Sequence, residues 1–268
     1  MKKVLCAIVL ALAVPAALLA YDNSPSHYQI LPEATWAAAT GGGTWVTEVQ
    51  ITCHSSPCTV LAYYYYGTSW RSVTLYTTSG WETSIKYGNI LATMQALDGS
   101  FTYYGTSGCL WLITSPDTGL ISAIARIYNG NYGKTFPGLQ WTDSNTANVG
   151  RNMRIMNVLF SSNYRTFAGF HNAISGGYSM TCTFGLIATS WNWVGSSWNE
   201  TFVPWEFKSF NIFTKAGITS GTYMSNWFYI YPQSSGSSGT GTKGLIGFGS
   251  IANNTTNDTY AIIPVQWQ

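Results

Sequence analysis

The sequence predicts an all-β chain made of two tandem antiparallel β-sandwich domains related by internal duplication. Three observations carry that expectation. First, the chain repeats itself: Gly80-Trp81-Glu82 returns 124 positions later as Pro204-Trp205-Glu206, and Ile121–Asn129 (ISAIARIYN) returns at the same offset as Leu245–Asn253 (LIGFGSIAN). A polar turn follows each copy, then Phe136-Pro137 in one and Ile263-Pro264 in the other, and upstream Trp45-Val46-Thr47 matches Tyr164-Arg165-Thr166. A unit of roughly 110 to 125 residues is large enough to bury its own core. Second, β-branched and aromatic runs recur about every ten residues between Gly, Pro, Asn and Ser turns. Third, few segments hold a helical period. The expected superposition places Trp81 on Trp205 and Ile127 on Ile251.

The elements follow in order. Lys2 and Lys3, the apolar run from Val4 to Leu19 and the small Ala20 read as a bacterial secretory signal peptide over residues 1–20, cleaved near Ala20. The expected location is therefore secreted or cell surface. No later apolar run reaches the roughly 18 residues of a membrane helix, so no transmembrane helix is expected. Residues 21–43 read as an N-terminal tail and lead-in loop, 44–140 as the first sandwich, 141–163 as linker and lead-in strand, and 164–268 as the second sandwich.

In the first copy the pattern is strand-like from residue 44 onward, where Glu48, Gln50 and Thr52 interleave with Val49 and Ile51, and strands are expected over 59–66 and 71–77 from alternation and β-branched or aromatic content. Residues 85–97 (IKYGNILATMQAL) are the one helix-like stretch, stopped by Asp98-Gly99. Strands follow at 100–104, 109–114 and 120–128. The second copy repeats the plan at 164–172, 179–188, 201–207, 226–231, 244–252 and 260–267, with 209–217 in the helix slot. The loop before the repeated strand grows from 116–119 to 232–244, a Ser/Gly-rich tract of linker composition. Tyr63 to Tyr66 are expected to cover both faces of one strand.

Charge narrows the function classes. Without Lys2 and Lys3, ten basic residues balance ten acidic ones, and only 8% of the whole chain is charged, against about 25% in an average soluble domain. A neutral surface favours association. It offers no basic stripe for nucleic acid, since Arg151, Arg154 and Arg165 are an isolated group of cations near the junction.

Four cysteines remain after cleavage, in an oxidising compartment. Cys53 and Cys58 bracket a turn and are expected to bond, stabilising by about 2 kcal/mol through loop closure. Cys109 and Cys182 fall in different copies. Their pairing would cross-link the domains, and the competing expectation is two buried free thiols. C-x₄-C beside His54 does not match a zinc spacing.

Residues 164–172 (YRTFAGFHN), Ala125-Arg126-Ile127-Tyr128-Asn129, residues 130–137 (GNYGKTFP) and residues 249–258 (GSIANNTTND) resemble the tandem β-sandwich repeat modules of secreted bacterial proteins of unknown biochemical function, which carry FRTNLGLxN, SRTYN…GTYGQFIP and ASVVDNxTxDxxxIP signatures. The resemblance covers nearly the whole chain after residue 20. It implies the fold and export, and it lends no catalytic residue. This chain departs from the group in being more aromatic and in carrying cysteines.

Little in the chain suits catalysis. His27, His54 and His171 are scattered, and neither a nucleophile elbow, a zinc-protease helix nor a phosphate-binding glycine loop is present. Glu82 and Glu206 stand at duplicated positions, which reads as a turn carboxylate beside a packing Trp rather than a glycosidase pair. No catalytic residue, cofactor or metal is assigned. A calcium ion over residues 253–258 would have a single carboxylate, Asp258. Trp191, Trp193 and Trp198, expected in one loop with Asn192, Ser196, Ser197 and Asn199, form a carbohydrate-binding candidate.

The function expected first is a secreted, non-enzymatic structural or adhesive surface protein able to self-associate through sheet edges that lack guarding Lys. The alternative is a carbohydrate-binding β-sandwich with a polysaccharide partner. An outer-membrane barrel is disfavoured by Pro264 in the final strand and by the two closed units.

Overall fold

The computed structural model describes residues 24–267 apart from 41, 56, 79–82, 143–145, 148–151, 175–177, 236–243 and 257. Residues 1–20, where a signal peptide is expected, and Trp81, Glu82 and Arg151 thus lie outside the described residues. The first half contains β1 (Tyr28–Ala38), β2 (Thr44–Cys53), β3 (Cys58–Tyr66), β4 (Ser69–Thr78), β5 (Thr83–Tyr87), α1 (Ile90–Asp98), β6 (Thr106–Ser115), β7 (Ile121–Asn129) and β8 (Tyr132–Pro137). The second contains β9 (Asn152–Phe160), β10 (Tyr164–Asn172), β11 (Met180–Ile187), β12 (Trp193–Phe202), β13 (Phe207–Asn211), α2 (Ile212–Lys215), β14 (Tyr223–Ser235), β15 (Leu245–Asn253), β16 (Thr259–Ile262) and β17 (Val265–Trp267). The fold is all-β, with antiparallel ladders throughout the described pairings. No described helix is long and apolar enough to cross a membrane.

Period-two alternation sends side chains to opposite faces, and each half closes around its own core. In the first, a layer β4-β3-β6-β1 faces a layer β5-β2-β7-β8, and β1 carries the hydrogen bonding from one to the other through Ala37↔Trp45. Leu31, Val49, Ile51, Val60, Leu112 and Ala125 fill the space between. In the second half, β12-β11-β14-β9-β17 faces β13-β10-β15-β16 around Phe170, Phe184, Phe202, Phe213 and Phe228.

The strand order of one half repeats in the other, and so does its register. Thr47 pairs with Ile127, and Thr166 pairs with Ile251. Ile30 bridges to Leu139, while Arg154, 124 positions on, pairs with Val265. That pairing exposes a further sequence echo, Leu139-Gln140-Trp141 against Val265-Gln266-Trp267. Both helices start from an Asn cap: the Asn89 side chain accepts from the Ala92 N–H, and that of Asn211 accepts from Phe213 and Thr214. Gly99 ends α1 in the left-handed region at φ 67°, which explains the stop at Asp98-Gly99.

Several sequence expectations are corrected. Residues 21–43 are not only a tail, because β1 pairs with β6 from Tyr28↔Ile113 to Trp36↔Thr106. Pro32 obscures this strand, and the register shift between Leu31 and Ala34 is what accommodates it. Residues 100–104 form no strand: the Tyr103 N–H donates to Gln95 Oε1 and its hydroxyl to Asp98 instead. Residues 201–207 split between β12 and β13 around Trp205, whose φ is 63°. Trp193 and Trp198 lie on β12 rather than in a loop.

Cys53 and Cys58 are bonded at the base of the β2–β3 turn, whereas Cys109 and Cys182 are free and buried. The long cross-link fails because Cys109 faces the layer between the halves and Cys182 faces the interior of the second sandwich. Burial pushes both thiols up from their ordinary pKa. We expect native protein to leave Cys109 and Cys182 unmodified by a thiol reagent, with both reacting on unfolding; rapid labelling of native protein would contradict the packing.

Thr47 and Thr166 are fully buried, and each hydroxyl bonds both backbone groups of one residue in the facing layer. The Thr35 N–H donates to Thr47 Oγ1 at 2.7 Å and that hydroxyl donates to the Thr35 carbonyl at 2.9 Å; Leu159 and Thr166 repeat this at 3.0 and 2.7 Å. Thr47→Val and Thr166→Val each strand two buried backbone groups, so each should cost about 2–4 kcal/mol in denaturant unfolding, with the Ser variants losing far less.

Candidate functional site

The outer face of the β12-β11-β14-β9 layer gathers aromatic side chains from several elements. Along β14, Phe228 and Ile230 enter the core, so Trp227, Tyr229 and Tyr231 point outward. Gly185 on β11 leaves room for the Trp193 ring, which occupies the place a side chain there would take. The Trp191 ring meets Trp227 edge-on at 4.7 Å, Trp193 lies 6.4 Å from Tyr229, and Tyr229 stacks beside Tyr231 at 6.1 Å. Arg154, paired with Tyr229 across the ladder, places its guanidinium 5.0–5.6 Å from the rings of Trp191, Trp227 and Tyr229. Its residue is only 4% exposed, while Trp191 and Trp193 are 59% and 56% exposed. Trp191 sits at φ 64°, an uncommon conformation for a bulky residue, in a turn closed by the bond from Ala188 N–H to the Asn192 carbonyl.

Trp191 and Trp193 are therefore neighbours, as the sequence suggested, but Trp198 is not with them. An odd separation along β12 puts Trp193 and Trp198 on opposite faces, and Trp198 stacks on Phe184 and Phe228 in the core. The partners that replace it, Trp227, Tyr229 and Tyr231, form an alternating aromatic run within the strand expected over 226–231. Asn199 accepts from Thr183 at 2.8 Å and Asn192 donates to Ser190 at 3.2 Å, both at exposed positions.

The remaining candidates have structural partners. Glu206 accepts from the Val203 N–H at 2.9 Å and pairs with Lys208 at 3.2 Å, closing the turn beside Trp205. Asn253 Oδ1 accepts from the N–H groups of Thr255 and Thr256, and Asp258 Oδ1 accepts from Thr259, so these oxygens hold the turn itself. Among the described residues no group of three or more His, Cys, Asp or Glu could hold a metal. His54 bonds Ser122 at 2.8 Å, and His27 packs on Tyr28. Arg154 and Arg165 serve different places, the aromatic face and the junction between halves. Tyr64 enters the first core, while Tyr63 and Tyr65 face that junction.

The junction is itself an apolar layer. Ile30, Tyr65, Cys109, Trp111 and Phe136 meet Phe207, Ile246 and Phe248. His171 is fully buried within it, 4.6 Å from the Tyr65 ring, 5.9 Å from Trp111 and 6.2 Å from Trp205. Burial drives its pKa down from 6.5 to about 3, against a smaller opposing effect of the backbone at Glu206 and Trp205. The unfolded chain binds this proton near pH 6.5 and the folded chain only near 3, so its contribution is complete above 6.5 and shrinks as pH falls. Between those values we expect a loss of up to about 1.4 kcal/mol per pH unit. Denaturant unfolding at pH 7.5 and 4.5 should show a clearly smaller acid loss in His171→Phe than in the unmodified protein.

No family model matches the chain, and no curated protein matches it. Among solved structures, Bacteroides uniformis beta-glucuronidase 2, covalently bound to cyclophellitol-6-carboxylate aziridine, aligns over 89% of this chain and 25% of that chain at 8% identity. The chain thus spans about a quarter of that protein's length. The TM-score of 0.17 is too low to carry fold or activity across.

Proposed function

We propose that this is a secreted, non-enzymatic adhesive protein of the bacterial surface, a tandem pair of duplicated β-sandwich modules that holds polysaccharide on its aromatic face. The observation that carries this reading is the group Trp191, Trp193, Trp227, Tyr229 and Tyr231 around Arg154, with its two most exposed rings at the β11–β12 turn. The negative face of an aromatic ring attracts the weakly positive C–H face of a sugar. Rings already anchored on a sheet lose little freedom on contact. The bordering Asn199, Thr183 and Asn192 add neutral hydrogen-bonding groups that suit hydroxyls. Export rests on the leader-like residues 1–20 and on the resemblance to secreted tandem modules.

Self-association is the second reading, and one observation favours it. β12 is the edge of its sheet and runs ten residues with most side chains exposed and neither Lys nor Pro within it.

Adsorption isotherms on insoluble polysaccharides, with sedimentation velocity on the same samples, test the proposal. Trp193→Ala and Tyr229→Ala should each weaken adsorption about tenfold or more, a loss of at least about 1.4 kcal/mol, while thermal unfolding stays near that of the unmodified protein. Adsorption that neither variant changes would overturn the aromatic face as the contact surface. Concentration-dependent growth in size that persists in both variants would move the assignment to the β12 edge.

A further inference from the structure

A second site lies away from the aromatic face, in a cleft of about 300 Å³ where the two halves meet. Its floor is held together across the junction: the Lys134 ammonium, on β8, pairs with Glu33 of β1 and donates to Ser250 Oγ of β15 at 2.8 Å. The Phe136 and Phe248 rings stand 5.6 and 5.3 Å from that ammonium, and the residue is 8% exposed. Lys134 and Glu33 therefore neutralise one another and fix the cleft's shape. Arg165 carries a further positive charge. Its named contacts are the neutral side-chain oxygen of Asn254 and the Phe167 ring, and neither cancels that charge.

Register places the remaining groups. Arg165 on β10 pairs with Ala252 on β15, and Ala252 pairs with Thr259 on β16. Arg165 and Thr259 thus flank a small residue, about 10 Å apart across two strand spacings. Thr259 is 6% exposed, lines the cleft, and its Oγ1 has no hydrogen-bond partner in the protein. A buried hydroxyl without a partner is costly unless something else satisfies it. Trp45, Phe207 and Phe248 supply apolar walls.

We propose that this cleft binds a hydroxylated carboxylate the size of one sugar ring, with the carboxylate on Arg165 and a ring hydroxyl on Thr259. Guanidinium matches carboxylate with paired hydrogen bonds. A cavity of this size with apolar walls and a few convergent polar groups suits a small ligand. The assignment is independent of the aromatic face.

Titration calorimetry with three probes separates the parts of the claim. Galacturonate carries both features, galactose lacks the charge, and cyclohexanecarboxylate lacks the ring hydroxyls. Galacturonate should bind at least about tenfold more tightly than either of the others. Arg165→Gln should lower its affinity about tenfold or more, and Thr259→Val should also weaken it. Since the Thr259 hydroxyl has no protein partner, Thr259→Val should fold with undiminished stability. Trp193→Ala should leave galacturonate binding unchanged, which separates this site from the polysaccharide surface. Absence of galacturonate binding at millimolar concentration, or binding indifferent to Arg165→Gln and Thr259→Val, would overturn the proposal.

Discussion

Between the two sandwiches, Ile30, Tyr65 and Trp111 from one side meet His171, Phe207, Ile246 and Phe248 from the other, so the strands at the centre of that contact are buried on both faces. This is why β6 and β15 lose the alternation of an ordinary outer strand: β15 is buried along eight consecutive residues, and β6 along five. The direct bond from the Phe207 N–H to the Gly67 carbonyl and the Lys134–Ser250 bond add polar fixings at the margins of the same layer. Burial holds His171 in its neutral form there. Protonating it would put a charge where no water can reach.

The layer is also asymmetric, and the asymmetry decides what the molecule shows to solvent. It uses the β3-β6-β1 face of the first sandwich but the β10-β15 face of the second. The counterparts of those faces are left open: β11-β14-β9 with its aromatic rings, and β2-β7 with Glu48, Gln50, Ile124 and Arg126. A head-to-tail contact of this kind would extend into a filament if the free faces matched as the internal ones do. They do not match, since one is aromatic and the other carries exposed charges such as Arg126 and Lys86. That difference favours the proposal of a sugar-bearing partner for the aromatic face over a second copy of the chain.

Much of the architecture was legible because strand periodicity and turn chemistry are local. The all-β class, the strands that hold Ile127 and Ile251, the Cys53–Cys58 bridge and the helix ending at Gly99 all follow from residues close in sequence. Even the division of Tyr63 to Tyr66 between two faces needed only period two. The same rule separates Trp198 from Trp193 once their segment is a strand and not a loop. β1 is hidden in the sequence because Pro32 and Glu33 interrupt its apolar run, and only the bulge opposite β6 makes room for them.

By itself, the sequence determined the all-β class of the fold, the Cys53–Cys58 bridge and the end of α1, since these depend on side-chain spacing within about ten residues. Tertiary structure alone decided which of two equivalent faces would be covered and which left open. It also set Cys109 apart from Cys182, joined Trp227, Tyr229 and Arg154 to Trp191 and Trp193, and brought Lys134, Glu33 and Ser250 together. The reason is that these groups lie far apart in the chain: the aromatic face forms when β12, β11, β14 and β9 pair in one sheet, and the Lys134–Ser250 contact forms when the two sandwiches meet, and no local pattern encodes either.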